Sequence, residues 1–267
     1  MTDSSLLYQS GRWHHLRTKL SDDGYLLIRG LLPAESCLQA YAYLCRALSK
    51  SRSQLLHKDG RLKPGAAGMG LLSRQDLAAH PLVQQVLEAA QLESLMKQLL
   101  QEEDVVTTKY KWLRAVARQE FTGVHADSVY LGKGSQRMLT AWLPLGDVPR
   151  QQGAMMVCRG SHRKRAFSRL QQGYGSSSVG QDGTCSGWLG SHPDDLADLV
   201  GNRYAIDWRT ADLGAGDVVV LSLGIIHMTA PNETDQVRIS CDTRWLPAGD
   251  ARDPRAGAWQ AAHAVAA

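Results

Sequence analysis

The spacing of apolar side chains divides the chain near residue 104. Before that point apolar positions recur at intervals of three and four, the period of a helix with one buried face. Pro33 is suited to a first helical turn. Cys37, Leu38, Tyr41, Leu44, Cys45 and Leu48 follow it and predict one helix. Val83, Val86, Leu87, Ala90, Leu95 and Leu99 predict a longer one, unbroken over 81–100. Ser21-Asp22-Asp23-Gly24 reads as a turn feeding a short strand from Tyr25 to Arg29. A looser stretch over 51–70 joins the helical blocks.

Beyond residue 104 short extended runs between turn residues replace the helical period. They predict strands over 105–118, 124–130, 136–144, 154–157, 204–208, 217–223 and 237–245. Between 163 and 212 lies a long connection with a Gly/Ser-rich centre over 171–190 and a short helix over 193–200. So long an irregular insert in a compact domain reads as a lid or binding loop. The expected class is mainly β with α (α+β), in one domain over 1–267. Residues 1–104 form its helical support, 105–247 its β core with the 164–212 insert, and 248–267 an Ala/Gly/Arg-rich tail.

Composition narrows the partners only a little. A hydrophobic fraction of 43% with 21% charged residues is ordinary for a globular protein. The net charge of +4 favours an anionic small molecule over a cationic one and is too small to argue for nucleic acid. Five cysteines without a C-x-x-C pair read as reduced thiols. There is no basic segment followed by an apolar one at the N-terminus, and no apolar run of about 18 residues. These features set the expectation of a cytoplasmic protein that is not membrane-bound.

The candidate chemistry starts from His125-Ala126-Asp127. On a strand, residues i and i+2 share a face, so both side chains can reach one metal ion. In a chain with nine histidines this spacing alone is near chance. His227 supplies a third ligand, after the apolar run Val218 to Leu221. Arg238 follows eleven residues later, beyond the turn sequence Pro231-Asn232-Glu233-Thr234-Asp235. A hairpin centred between Asn232 and Glu233 would set His227 opposite Arg238, with Thr229 on the same face. Two imidazoles and a carboxylate on one side of iron(II) form a facial triad with three open positions. A 2-oxo acid can chelate at two of them and dioxygen can take the third. The far carboxylate of 2-oxoglutarate then needs a cation, and a guanidinium binds it through two parallel hydrogen bonds. Arg238, helped by the Thr229 hydroxyl, suits that role.

Taken together these residues resemble the phytanoyl-CoA dioxygenase family of Fe(II)/2-oxoglutarate oxygenases. The similar motifs are His125-x-Asp127, Thr140-Ala141-Trp142-Leu143-Pro144-Leu145-x-Asp147, Gly153, Gly160-Ser161-His162, Gly216-Asp217, and His227-x-Thr229 with Arg238. Asp23-Gly24-Tyr25 with Arg29-Gly30 is similar to the family's opening strand. The resemblance runs from about Ser21 to Leu246 and is weakest over 50–105 and 164–212. It implies a double-stranded β-helix (jelly roll, cupin-like) with supporting helices and the metal at one mouth. It also implies that Arg238 and Thr229 hold 2-oxoglutarate, with Trp142 and Tyr110 lining its pocket. Halogenating relatives have Ala or Gly in place of the carboxylate ligand, so Asp127 points to a hydroxylase. Lys111, Arg114, Lys133, Arg137 and Arg244 are basic candidates for an acidic substrate, and alternation along 238–244 places Arg244 on the face of Arg238. The alternatives are a metal-binding cupin enzyme that does not use 2-oxoglutarate and a non-catalytic binding relative.

Overall fold

The computed structural model describes residues 1–72, 74–174 and 187–254. Cys185, His263, the middle of the Gly/Ser-rich centre and most of the tail lie outside the described residues. The strands are β1 (Tyr25–Ile28), β2 (Val105–Thr107), β3 (Trp112–Val116), β4 (Leu139–Pro144), β5 (Met155–Cys158), β6 (Trp208–Thr210), β7 (Val218–Ser222), β8 (His227–Thr229) and β9 (Arg238–Pro247). The α-helices are α1 (Ser5–Gln9), α2 (Trp13–Asp23), α3 (Ala34–Ser51), α4 (Gln75–Ala78), α5 (Pro81–Leu87), α6 (Ala90–Leu100), α7 (Ser128–Leu131), α8 (Ser168–Tyr174) and α9 (Asp195–Val200).

Two antiparallel sheets build a jelly roll. The larger has the order β1-β7-β4-β9-β2, with β3 also on β9; the smaller is β6-β5-β8. Their inner faces pack together through Tyr25, Leu27, Trp142 and Val219 of one and Met155 and Val157 of the other. The outer face of the larger sheet packs through Leu26, Ile28, Ala141, Val220 and Cys241 against apolar faces of α2, α3, α5 and α6. Strand β9 is buried along its whole length. It is therefore covered on both sides, by helices behind and by the barrel interior in front. Among the described residues, no helix is long and apolar enough to cross a membrane. Cys37, Cys45, Cys158 and Cys241 are free and buried.

Several expectations need correction. The helix expected over 81–100 is two helices, broken at Glu88 and Ala89, where Ala89 takes an extended conformation (ψ 141°). At about 100° per residue, the buried set Val83, Val86, Leu87 and the buried set Leu92, Leu95, Met96, Leu99 would face opposite sides of one straight helix. The break turns both toward the core, and Ala90, counted on the apolar face from sequence, is exposed. The expected turn at 21–24 is the end of α2, closed by Gly24 in the left-handed conformation (φ +83°). The strand expected over 105–118 bends between β2 and β3, where the Lys111 backbone N–H donates to Gln75 Oε1 (2.9 Å). The segment expected as a strand over 204–208 is a 3-10 turn at Arg203–Ala205 followed by β6.

The largest correction concerns the predicted hairpin. His227 and Arg238 belong to different sheets: His227 pairs with Val157 of β5, and Arg238 with Val116 of β3. The turn sequence between them carries the chain from one sheet to the other. Asn232 pins this corner: fully buried, it donates from Nδ2 to the carbonyls of Val116 (3.0 Å) and Gln236 (2.8 Å) and accepts from the Thr234 N–H (3.0 Å). A turn signal specifies that the chain reverses but not which strand it then pairs with; here β8 pairs with β5 and β9 with β3 and β4. Asn232→Ala strands those buried backbone groups and is expected to cost about 2–4 kcal/mol of stability, measured by urea unfolding.

Candidate metal centre

The three candidate ligands converge by a different route from the expected strand alternation. His125 is extended and pairs with His227 through reciprocal backbone hydrogen bonds of 2.9 and 2.8 Å. The chain then turns, so that Asp127 (φ −60°, ψ −20°) caps the single-turn helix α7. This turn takes the place of the expected strand end at 126–130. Even so, a ligand atom from each of His125, Asp127 and His227 lies within 4.8 Å of the others, and all three residues are buried. The imidazole centroids are 4.2 Å apart.

Each imidazole is oriented by its own backbone. His125 Nδ1 lies 2.8 Å from the Gly123 carbonyl and His227 Nδ1 lies 3.0 Å from the Ile225 carbonyl. An Nδ1–H donated to each carbonyl leaves Nε2 as the free lone pair, the arrangement common to metal-binding histidines. Burial, and then the neighbouring His227, push the His125 imidazole down to about 3, which keeps it neutral. Gly123 has a second function. A Cβ there would stand 2.4 Å from the Trp188 ring, so only glycine lets that indole lie against the backbone ahead of His125.

Asp127 is held at both oxygens. Arg244 Nη2 donates to Oδ1 (2.9 Å) and Thr140 Oγ1 donates to Oδ2 (2.5 Å). Burial alone would raise this carboxyl; the Arg244 guanidinium, then His227 and His125, and the Thr140 hydroxyl outweigh it and hold it well below the usual carboxylate range. Thr140→Val removes one of these supports. It is expected to weaken iron(II) binding about tenfold while leaving the fold unchanged, as read by competition with a chromogenic chelator.

Arg238 projects from the same inner face of β9 as Ser240, Asp242 and Arg244, as alternation predicts. It is fully buried and donates from Nη1 to Ser240 Oγ (2.7 Å), while Nη2 reaches Thr229 Oγ1 only at 3.5 Å. Its Cζ lies 5.9 Å from the Trp142 ring centroid. Among the described residues its Nε has no hydrogen-bond partner and no carboxylate pairs with it. Burial, then the charge of Arg114, push the guanidinium down to about 9. A buried cation without a counter-ion is costly. The dicarboxylate 2-oxoglutarate would supply that counter-ion, and the His-Asp-His donor set suits iron.

The remaining candidates separate. Arg114 and Arg244 line the cavity that opens on His125 and Asp127. Lys111 is buried away from it, on Glu88 (2.8 Å), Thr107 Oγ1 (3.1 Å) and the Thr108 carbonyl (2.7 Å). Arg137 lies at the surface, bonded to Glu102 (2.7 Å) and the Leu100 carbonyl (2.6 Å). Lys133 sits in the loop after α7, its N–H donating to Asp253 (2.7 Å). Tyr110 lies at the bend between β2 and β3, edge-on to Trp112 at 4.9 Å, and not on a strand or in the cavity wall. Thr140 stands in the family motif and Asp242 on the alternating face of β9, but the sequence gives neither a role at the site; the structure sets Thr140 on Asp127 and Asp242 beside Arg244. Each is a polar residue within a strand that is otherwise apolar or buried, and that pattern was the available signal.

No curated protein matches the sequence. The fold is similar to that of the epimerase SnoN, solved with Fe3+, α-ketoglutarate and nogalamycin RO. The two chains are 20% identical with a TM-score of 0.65, over 94% of this chain and 90% of that one. It is also similar to the carbocyclase SnoK from nogalamycin biosynthesis, at 19% identity and TM-score 0.62, over 90% and 86% of the two chains. EvdO2 from Micromonospora carbonacea var. aurantiaca, solved with 2-oxoglutarate, gives 18% identity and a TM-score of 0.55, over 91% and 95%. The sequence profile of the phytanoyl-CoA dioxygenase (PhyH) family matches residues 20–240, and the chain belongs to that family.

Proposed function

We propose that this protein is an iron(II)- and 2-oxoglutarate-dependent oxygenase that hydroxylates a small molecule. The observation that carries the reading is the pairing of a buried His-Asp-His cluster with Arg238, a buried guanidinium that has no carboxylate partner among the described residues. A cupin-type centre that does not use 2-oxoglutarate gives no reason for that cation. Iron with 2-oxoglutarate and dioxygen supplies the power to oxidise an unactivated C–H bond, releasing succinate and carbon dioxide.

The chain's own residues bind, orient and exclude water. His125, Asp127 and His227 would hold the metal through Nε2, a carboxylate oxygen and Nε2. Arg238 and Thr229 would hold the distal carboxylate of 2-oxoglutarate, with the Trp142 ring beneath the guanidinium. Arg244 and Thr140 fix the Asp127 carboxylate. Hydroxylation is proposed over halogenation because Asp127 would give the metal a carboxylate ligand where halogenating relatives have Ala or Gly. SnoN and SnoK are named as an epimerase and a carbocyclase, so this fold also serves other outcomes. With iron(II) and dioxygen present, consumption of 2-oxoglutarate should give succinate and carbon dioxide in equal amounts. Absence of succinate under these conditions, with or without candidate substrates, would refute the reading.

A further inference from the structure

The cavity over the metal centre encloses about 340 Å³, at the small end of the range for drug-sized ligands (about 300–1,000 Å³). Four aromatic side chains stand in its walls: Trp112, Phe121, Tyr130 and Trp188. The Phe121 and Trp188 centroids stand 5.8 Å apart with the ring planes tilted by only 35°. Flat rings lining a narrow space favour a flat ligand that can lie against them.

Three charged side chains other than the metal ligand Asp127 border this space, and two are already committed. Arg244 donates to Asp127, lies 3.4 Å from Asp242, and rests its guanidinium 4.1 Å from the Trp112 centroid. The Glu120 carboxylate accepts the N–H groups of Gly68 (2.5 Å), Met69 (3.0 Å), Gly70 (3.2 Å) and Ala117 (2.9 Å), which ties the 68–70 loop to the cavity rim. Arg114 is different. Only its Nε approaches a carboxylate, at a long 3.4 Å from Asp242; Nη1 and Nη2 have no partner among the described residues, and the side chain remains 18% exposed. It is held inward by alternation on β3, where Trp112, Arg114 and Val116 line the cavity while Leu113 and Ala115 enter the core behind.

We infer that the substrate is a planar, mostly apolar carboxylic acid, its carboxylate on the two terminal nitrogens of Arg114 and its body against the aromatic walls. The inference rests on the oxygenase reading above, which leaves this cavity for the substrate. A planar carboxylate matches two parallel guanidinium N–H groups, which a neutral amide cannot replace.

The test is anaerobic calorimetry on the protein loaded with iron(II) and saturating 2-oxoglutarate, which keeps Arg238 occupied. The probes are 2-naphthoate, 2-naphthamide and the non-planar cyclohexanecarboxylate. The expected result is that 2-naphthoate binds about 10- to 100-fold more tightly than 2-naphthamide, and more tightly than cyclohexanecarboxylate. Arg114→Gln should erase the preference for acid over amide, and Arg114→Lys should keep part of it. Equal binding of acid and amide, binding of neither, or a preference that survives in Arg114→Gln would overturn the inference. The comparison of acid with amide on the unaltered protein needs no variant to fold. The visible charge-transfer band of the iron–2-oxoglutarate complex separates the two readings. Its absence defeats the cofactor assignment, whereas an intact band without the acid preference defeats this inference alone.

Discussion

An Arg238→Gln variant is expected to bind iron(II) normally, to lose affinity for 2-oxoglutarate by about 100-fold or more, and to be more stable than the parent when no co-substrate is present. The first two effects follow from removing one partner of a buried ion pair, which costs about 3 kcal/mol or more. The third has the opposite sign from most core substitutions. Without a dicarboxylate, Arg238 is a fully buried cation whose Nε has no partner among the described residues, and burial already pushes it down to about 9. Glutamine keeps most of the volume and removes the charge. The melting temperature should therefore rise by about 2–4 °C for each kcal/mol relieved. A structural arginine would give the reverse, a lower melting temperature, so differential scanning fluorimetry with and without 2-oxoglutarate tells the roles apart.

Asp127→Ala is expected to abolish 2-oxoglutarate turnover and iron binding and also to destabilise the metal-free protein by about 3 kcal/mol. The stability loss does not come from packing. Arg244 is as buried as Asp127, and removing the carboxylate leaves its guanidinium with Asp242 at 3.4 Å as its remaining acidic neighbour. The double variant Asp127→Ala/Arg244→Met should recover most of that stability, because the pair is removed together, while iron binding stays lost. Urea unfolding of the four proteins in the cycle measures the coupling. Full additivity of the two substitutions would show that the contact contributes nothing.

These two residues also show how far the sequence could be read. The candidate metal ligands, Arg238 and the inward face of β9 were legible because their signals are local. An H-x-D spacing, a histidine after an apolar strand, and alternation along Arg238-Ser240-Asp242-Arg244 do not depend on distant contacts. What failed was pairing. The turn sequence predicts His227 opposite Arg238 in a hairpin, yet they lie in different sheets, joined by a corner that Asn232 pins. Thr229, rather than His227, meets Arg238 across the interior. Both geometries gather the same side chains, so His125, Asp127, His227 and Arg238 come together through a topology other than the expected hairpin.

The basic residues show the same limit. Lys111, Arg114, Arg137 and Arg244 look alike in sequence. Only tertiary contacts reveal that Lys111 is tied to Glu88, Arg137 to Glu102 and Arg244 to Asp127, and that, among the described residues, Arg114 keeps its terminal nitrogens free of protein partners. The sequence predicts one helix across α5 and α6 because Ala90 fits a continuous apolar face. The stronger residues Leu92 and Met96 lie on the opposite side and decide the break.

The most direct test of the central claim is an anaerobic optical titration of the purified protein with iron(II) and 2-oxoglutarate. The account predicts a visible charge-transfer band that needs both additions, saturates at one iron per chain, and is absent in Asp127→Ala and, at the same 2-oxoglutarate concentration, in Arg238→Gln. A protein that takes up one iron per chain but develops no such band with 2-oxoglutarate would contradict it.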